Sequence, residues 1–181
     1  MENSTLSKLQ YPIGKFKCPD SITDTHIKTW VSTLETFPIR LEALVKHLNK
    51  QQLDTVYRPG GWTVRQVIHH LSDSHQHCYT RFKWALTEEK PIIKAYDEAK
   101  WAALGDSASA PIHMSLEHLK AVHYKLTYLL KSLTASDLKR SFIHPETNTA
   151  ITLNYTIGNY AWHSLHHYAH IERLLKQKGW L

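Results

Sequence analysis

The chain has 181 residues, 42% of them hydrophobic, and a formal net charge of +6, values that suit one globular domain with its own core. No apolar run approaches the ~20 residues needed to cross a bilayer, and the first residues lack the apolar stretch of a secretory signal. Two cysteines argue against a disulfide framework and favour a reducing compartment. We therefore expect a single domain over residues 1–181, located in the cytoplasm and without a membrane partner.

The positive charge does not by itself predict a nucleic-acid-binding protein. Lysine and arginine are scattered along the chain and form no cluster that would track phosphates. The sequence has only six glycines and neither of the common glycine-rich phosphate-binding motifs. The unusual feature is histidine, which occurs 14 times with several copies bunched together. We expect no nucleic-acid partner and consider histidine as the source of function.

Two helices are predicted in the first half of the chain. Apolar residues recur at spacings of three and four from about residue 24 to residue 49. Pro38 lies inside this segment and is expected to kink it, because proline lacks the backbone donor and crowds the preceding turn. The second helix begins at Thr63, a typical N-cap after Gly60-Gly61, and runs to about residue 87.

Two further helices are predicted in the second half. The third opens at Ser115 and carries the most regular apolar stripe of the four. The fourth opens near Thr152 and ends at Lys178-Gly179, since glycine commonly stops a helix. Four long amphipathic helices bury their stripes most simply against one another. The predicted fold class is therefore all-α, a four-helix bundle.

The connections after the second helix carry their own predictions. Residues 88–114 form a long link that is rich in Pro, Ala and Ser, with the pattern of a short helix at 96–104. Links of this length in a small domain are often functional, for example as a lid. Before the fourth helix, residues 141–144 and 150–153 flank a turn-forming segment. This arrangement predicts a short β-hairpin.

The fourth predicted helix carries His163, His166, His167 and His170. Residues four apart share a helix face, so both His163/His167 and His166/His170 can offer two imidazoles to one ion. At about 100° per residue, His167 lies roughly 60° and His163 roughly 100° from the centre of the apolar stripe, on one flank. His170 lies further round, and His166 points most nearly to solvent. The pattern favours His163 and His167 as metal ligands, the alternative being a helix with several solvated or structural histidines.

A third ligand must come from another helix, and the second helix offers four histidines. His75 lies near the centre of its apolar stripe and His70 on the flank, whereas His69 and His77 lie nearer the solvent side. Periodicity therefore leaves both His70 and His75 open. A lone histidine at either position is more often a hydrogen-bonded structural residue than a ligand. Cysteine zinc sites and nucleophilic triads are not indicated, since CxxC, HExxH and GxSxG are all missing from the sequence.

With these motifs the sequence resembles the DinB-like superfamily, and closely its YfiT-type group of metal-dependent hydrolases. The ordered features that carry the resemblance extend from about residue 11 to residue 180. They are Tyr11-Pro12-Ile13-Gly14, the block 57–71 with its tryptophan and a histidine eight residues later, Arg81-Phe82-Lys83, Tyr96-Asp97-Glu98, and Trp162-His163-Ser164 followed by His167 and His170.

The resemblance implies a DinB/YfiT-like bundle in which one metal ion is bound by His70, His163 and His167. It also implies a homodimer and a hydrolase that activates water on a small-molecule substrate. Other branches of the superfamily are thiol transferases of the bacillithiol type. Transfer of a low-molecular-weight thiol to an electrophile is therefore the alternative activity, and a non-catalytic metal-binding module is the alternative of another class. Three neutral imidazoles with open coordination positions suit divalent Zn or Ni.

Three carboxylates are candidates for a general base. Asp97 and Glu98 lie in the long link, and Asp73 lies in the second predicted helix. Acidic residues in a surface loop are more often simply solvated, so the sequence selects none of the three. The link is expected to form part of the rim of the site, with Tyr96 or Trp101 near the mouth of the cavity.

Overall fold

The computed structural model describes the backbone of residues 2–181 and the side chains from residue 6 onward. Its elements follow in chain order: α1 (Glu2–Gln10), α2 (Asp24–Val45), α3 (Lys50–Leu53), α4 (Val64–Thr87), α5 (Glu98–Ala102), α6 (Gly105–Ser109), α7 (His113–Ser132), a 3₁₀ turn (Asp137–Lys139), β1 (Ser141–His144), β2 (Thr149–Thr152) and α8 (Leu153–Lys178). The four long helices α2, α4, α7 and α8 are the four that the sequence predicts. The predicted four-helix bundle is thereby confirmed.

The long helices pack in an order that differs from their order along the chain. α2 packs against α7 and α8, and α4 packs against the same two helices. The first two long helices therefore lie diagonally across the bundle, α2 opposite α4, and so do the last two, α7 opposite α8. As a result α4 and α8, which carry most of the histidines, are direct neighbours.

Local hydrogen bonding explains where α4 and α8 begin and end. The Thr63 hydroxyl accepts from the Gln66 backbone N–H at 3.1 Å, while the Gln66 side chain accepts from the Thr63 backbone N–H at 3.0 Å. This reciprocal capping box satisfies donors that a helix start would otherwise leave unpaired. α8 ends at Gly179, whose φ of 66° lies in the left-handed region that favours glycine. Both predicted boundaries are confirmed.

Other boundaries differ from the predictions. The first predicted helix ends at Val45, since Asn49 forms a second capping box that starts the separate helix α3. α2 continues through Pro38 as one helix, and the kink expected at this proline stays a prediction. The long link holds two short helices, α5 and α6, where the sequence indicates one. The segment before residue 11 forms α1, which the apolar pattern does not predict.

The core is divided by a layer of buried histidines. One apolar cluster contains Leu41, Leu71 and Ile171, and a second contains Leu34 and Phe82 with their neighbours. Between them lie buried polar side chains from three long helices, which include His75, His123 and His167. Burying several imidazoles in a core is costly unless each one is hydrogen-bonded or holds an ion. The buried histidines of this layer are therefore the candidate functional residues.

The hairpin and the link cover the outside of the bundle. β1 and β2 pair antiparallel with Phe142 opposite Ile151, which confirms the predicted hairpin. The start of the link runs beside β1, where the Ile93 N–H donates to the Ile143 carbonyl at 3.1 Å. Further along, the Gln66 side chain donates to the Ala102 carbonyl at 2.8 Å and holds the link against α4. Among residues 2–181, no helix is both long enough and apolar enough to cross a membrane.

Candidate metal centre

Three histidines from the two neighbouring helices converge at one point. His70 is contributed by α4, and His163 and His167 lie one turn apart on α8. One ring nitrogen of each lies within 4.8 Å of the others. The Nε2 atoms of His70 and His163 are 3.3 Å apart. The structure thus brings together the three residues that the family resemblance indicates.

The distance between the two Nε2 atoms fits a shared metal ion. Zn–N bonds of about 2.0–2.1 Å at tetrahedral angles place two ligand nitrogens about 3.3–3.4 Å apart. Three imidazoles are a donor set that divalent Zn and Ni accept. The residues present therefore fit the kind of ion that the sequence predicts.

Burial keeps these imidazoles in the neutral form that binds metals. Removal from water lowers the pKa of His70 to about 4, with a smaller contribution from the nearby His166. The same loss of hydration lowers the pKa values of His163 and His167 well below the usual 6.5. At neutral pH each ring can therefore offer a lone pair without first losing a proton.

The three histidines line a cavity of about 490 Å³ that opens to the surface. The Trp62 ring packs against two of them, with its centroid 4.7 Å from that of His70 and 6.4 Å from that of His167. A volume of this size is within the range of small-molecule sites. The candidate centre is therefore at the wall of a space that a small substrate can enter.

His75, the other histidine that periodicity leaves open, lies behind the centre. It has no exposed surface, and its Nε2 atom is 3.2 Å from His163 Nδ1. On its other side, His75 Nδ1 is 2.9 Å from His123 Nε2. His123 Nδ1 in turn lies 2.6 Å from the Leu34 carbonyl oxygen. A continuous chain of buried groups thus connects His163 on α8 to α4, α7 and α2.

The expectation that His166 points to solvent is wrong, because His166 is only 7% exposed and His170 only 3%. The segment that includes the end of α1 covers this face of α8. The Gln10 carbonyl lies 3.1 Å from His170 Nε2, and the Tyr11 ring lies 5.9 Å from that of His166. His166, His167 and His170 form a second group with nitrogens within 4.8 Å, and it shares His167 with the first.

His69 is likewise buried, at 5% exposed, although its helix position indicates the solvent side. The end of the long link covers it. His69 Nε2 donates to the Ala110 carbonyl at 3.2 Å, and the Ser115 hydroxyl lies 2.7 Å from Nδ1. Burial lowers the pKa of His69. Its nitrogens are thus occupied on the side of α4 that carries the link.

The three candidate carboxylates occupy different environments. Glu98 lines the cavity. Asp97 caps α5, accepting from the Lys100 backbone N–H at 2.9 Å, and also pairs with the Lys100 ammonium group. Asp73 is not part of the lining, and burial raises its pKa to about 6, with a further contribution from Asp106. Glu98 alone of the three faces the cavity.

The two aromatic residues expected at the cavity mouth also differ. Tyr96 lines the cavity, and burial raises its pKa to about 12. Trp101 is 39% exposed and contacts the cavity only through other rings, with its centroid 4.9 Å from that of Tyr96 and 5.2 Å from that of His77. Tyr96 therefore forms part of the rim, and Trp101 supports it from outside.

Sequence reasoning did not identify Ser74, Arg81 or Tyr160 as cavity residues, although all three line it. The signal was present for two of them. Ser74 and Arg81 follow His70 by four and eleven residues, intervals that return to nearly the same helix face at about 100° per residue. Tyr160 lies in the apolar stripe of α8, where the sequence pattern predicts only a residue of the hydrophobic core.

The free energy of unfolding is expected to fall as the pH is lowered, because His123 is buried. Loss of hydration lowers the pKa of this residue to about 4. The unfolded chain binds this proton near pH 6.5 and the folded chain only near pH 4, so acidification through this window favours unfolding. For His123 alone we expect a loss of about 2 kcal/mol between pH 7 and pH 5. Urea unfolding of the metal-free protein at the two pH values measures this loss of stability.

His123→Leu should show a smaller loss over the same interval, whatever its stability at pH 7. His118→Gln, which changes an exposed histidine of the same helix, is the control and should keep the full loss. Equal losses in all three proteins would contradict the buried, neutral state of His123.

The sequence model that defines the DinB superfamily matches residues 33–171 of this chain, so the chain belongs to this family. The chain is 48% identical over 176 residues to YfiT of Bacillus subtilis, which is provisionally named a metal-dependent hydrolase, covering 97% of this chain and 99% of YfiT. A relative from Oceanobacillus iheyensis with the same provisional name is 49% identical over 171 residues, or 94% of this chain and 98% of the relative.

The solved structure of Bacillus subtilis YfiT superposes with a TM-score of 0.94 at 48% identity, covering 96% of this chain and 99% of that one. It is described as having an unusual four-helix bundle topology. The placement of α2 opposite α4 and of α7 opposite α8 in the present chain is consistent with that description.

Proposed function

We propose that this protein is a metal-dependent hydrolase that acts on a small molecule, with one divalent ion held by His70, His163 and His167. The observation that carries the proposal is the convergence of three neutral imidazoles at the wall of an open cavity. The names of the similar proteins support it, since they combine metal dependence with hydrolysis. A structural ion would instead be enclosed by four protein ligands.

The proposed ion is zinc or nickel, in keeping with a set of three imidazole donors. When bound, such an ion supplies a Lewis acid that lowers the pKa of a coordinated water and polarises a substrate carbonyl or phosphoryl group. The remaining steps depend on this chain's own side chains.

Glu98 is the proposed general base, because it is the candidate carboxylate that lines the cavity. Its carboxylate would accept the proton of the attacking water and return it to the leaving group. Tyr96 keeps its phenolic proton at neutral pH, because its pKa is raised to about 12, and can donate a hydrogen bond to the substrate. Trp62 excludes water from the face of His70 that it covers.

Thiol transfer is the runner-up activity and uses the same three histidines, with a low-molecular-weight thiol as the nucleophile in place of water. Storage of metal is the third possibility, and it would favour a closed site with more than three ligands. Neither has a specific observation in its favour among residues 2–181. Both are therefore treated as outcomes of the activity test.

The test is turnover of a panel of carboxylic esters, amides and phosphate esters by zinc-loaded, nickel-loaded and chelator-treated protein. Each arm is run with and without added cysteine as the thiol. We expect release of the hydrolysis products without thiol, lost on chelation and restored by metal. Turnover only in the presence of thiol would replace the hydrolase with a transferase, and no turnover with tight metal retention would indicate storage.

Two further features remain proposals. We propose a homodimer, which light scattering would report as twice the 21.0 kDa chain mass. We also propose a cytoplasmic location, because Cys18 is exposed as a free thiol and Cys78 is buried as one.

A further inference from the structure

We propose that the cavity binds its ligand through an oxyanion group, a carboxylate or a phosphate, held by the guanidinium group of Arg81. This deepens the proposed function by naming a substrate class. The anion site itself does not require that the protein be a hydrolase.

Arg81 lines the cavity and has hydrogen-bond donors that the protein does not use. Its Nη1 atom donates to the Tyr160 hydroxyl at 3.3 Å, whereas its Nε atom is buried without a hydrogen-bond partner. None of the ion pairs within the described part of the chain involves Arg81. A partly buried charge without a counter-ion is costly, and an anionic ligand would remove that cost. The planar guanidinium also matches a carboxylate or phosphate with two parallel hydrogen bonds.

The position of Arg81 connects it to the metal centre. His70 and Arg81 lie on nearly one face of α4, about 16 Å apart along the axis, with Ser74 between them. Side chains on a helix tilt toward its N-terminus, so the long Arg81 side chain extends back toward Ser74 and His70. Its partner Tyr160 has a ring centroid 5.7 Å from that of His163. A small molecule can thus contact the centre with one end and Arg81 with the other.

The charge of the cavity agrees with this assignment. Two arginines, Arg58 and Arg81, and one carboxylate, Glu98, line it. The Nε atom of Arg58 is also buried without a hydrogen-bond partner. A bound divalent cation would make the cavity more positive still. A purely structural role for Arg81 is the competing explanation, because its guanidinium also lies 5.9 Å from the centre of the Phe142 ring.

Calorimetric titration with glutarate and with inorganic phosphate tests the proposal in the metal-free and the zinc-loaded protein. We expect saturable binding of at least one anion in both forms, weakened at least tenfold by Arg81→Gln. Lys83→Gln removes the same charge from an exposed site two residues away and should change affinity less than twofold. Arg81→Lys, which keeps the charge but loses the planar fork, should bind with intermediate affinity.

Binding that is equal in wild type, Arg81→Gln and Arg81→Lys would overturn the proposal, as would the absence of saturable binding to either form. If Arg81→Gln fails to fold, the Arg81→Lys comparison decides alone. Anion binding that needs zinc and ignores Arg81 would show that only the ion recognises the anion. This experiment measures binding and not turnover. Its result can therefore be interpreted even if the protein is not a hydrolase.

A different observation carries a second inference. We infer that two buried hydrogen-bond chains determine which nitrogen of His163 and of His167 is left free for the metal. His75, His123 and His170 are then positioning residues, which act through the ligands and do not contact the ion.

The first chain has its direction fixed by a backbone carbonyl. The Leu34 oxygen can only accept, so His123 Nδ1 must carry the proton between them. In a neutral ring this leaves His123 Nε2 as an acceptor, which requires the proton on His75 Nδ1. His75 Nε2 is then an acceptor and requires the proton on His163 Nδ1. The nitrogen left bare on His163 is Nε2, the atom that lies 3.3 Å from His70 Nε2.

The second chain is shorter and follows the same logic. The Gln10 carbonyl can only accept, so His170 Nε2 carries the proton and His170 Nδ1 is an acceptor. His170 Nδ1 lies 3.4 Å from His167 Nδ1, which must then be the donor. His167 Nε2 is left bare. Two separate chains, ending on α2 and α1, thus leave the same nitrogen free on both histidines of α8.

Each chain ends on a carbonyl and not on a group that exchanges protons with solvent. The chains are therefore suited to orient the ligands rather than to conduct protons. Partners of this kind on metal-bound histidines hold the ring and the tautomer, and their loss typically weakens metal affinity 10- to 100-fold.

Nitrogen-15 NMR of histidine-labelled protein, with and without zinc, reads the tautomers directly. We expect protonated Nδ1 and bare Nε2 on His163 and His167 in both forms. Zinc affinity, measured by competition with a chelator, should fall 10- to 100-fold in His75→Leu and in His170→Leu. His75→Gln, whose amide oxygen can accept from His163 Nδ1, should recover part of that loss, and His118→Gln should have none.

A protonated Nε2 on metal-free His163 or His167, or unchanged zinc affinity in both leucine variants, would overturn the inference. Two zinc ions per chain would also overturn it, because His167 and His170 would then be ligands of a second ion.

Discussion

Replacing His167 by alanine is expected to remove most of the metal from the purified protein, whereas replacing His166 is expected to leave it in place. Wild-type protein should contain close to one zinc or nickel per chain by mass spectrometry. His167 is the residue that completes the three-histidine group with His70 and His163. Without it two imidazoles remain, too few for a stable site in competition with solvent.

His166→Ala is the matched control, because it removes a buried imidazole from the neighbouring position on the same helix. Its metal content should stay near the wild-type value. An empty site in His166→Ala together with a full site in His167→Ala would show that His166, and not His167, is the metal ligand. Loss of metal in both variants, with the fold retained, would point to a centre that includes both groups.

Replacing Glu98 by glutamine is expected to lower the turnover number by about 10²- to 10⁴-fold, the usual contribution of a general base. The amide keeps the size of the side chain but cannot accept the proton. Metal content and thermal stability should be unchanged, because Glu98 lines the cavity and makes no ion pair among the described residues. The measurement is steady-state hydrolysis of whichever substrate the panel identifies.

Glu89→Gln removes the same charge from an exposed position of the same link and should retain turnover within about twofold, as is usual for surface changes. Asp97→Asn tests the neighbouring candidate while preserving the cap of α5, since asparagine caps helices as well as aspartate does. Full activity in Glu98→Gln with a large loss in Asp97→Asn would transfer the role of base to Asp97.

Much of the fold was predictable because the relevant interactions are local. The N-cap at Thr63, the stop at Gly179 and the apolar stripes of the four long helices depend on residues within a few turns of one another. Which helices become neighbours depends on long connections, and the sequence has no local signal for it. The diagonal arrangement of α2 and α4 could not be read from periodicity.

The same limit explains the errors at the site. Helix periodicity predicts the face on which a side chain lies but not what covers that face. His166 and His170 are covered by the segment that includes the end of α1, and His69 by the end of the link. Periodicity also left His70 and His75 as equals, and family resemblance made the choice. The hydrogen bonds from His75 to His163 and to His123 show why both histidines belong to one polar layer.

X-ray absorption spectroscopy at the metal edge of the loaded protein measures the ligands of the proposed metal centre directly. We expect three imidazole nitrogens at about 2.0–2.1 Å from the metal, with the rest of the coordination sphere made of light atoms that change when azide is added. His70→Ala should lower the imidazole count by one. A sphere of four protein ligands that ignores azide, or an imidazole count that His70→Ala leaves unchanged, would contradict an open centre built from His70, His163 and His167.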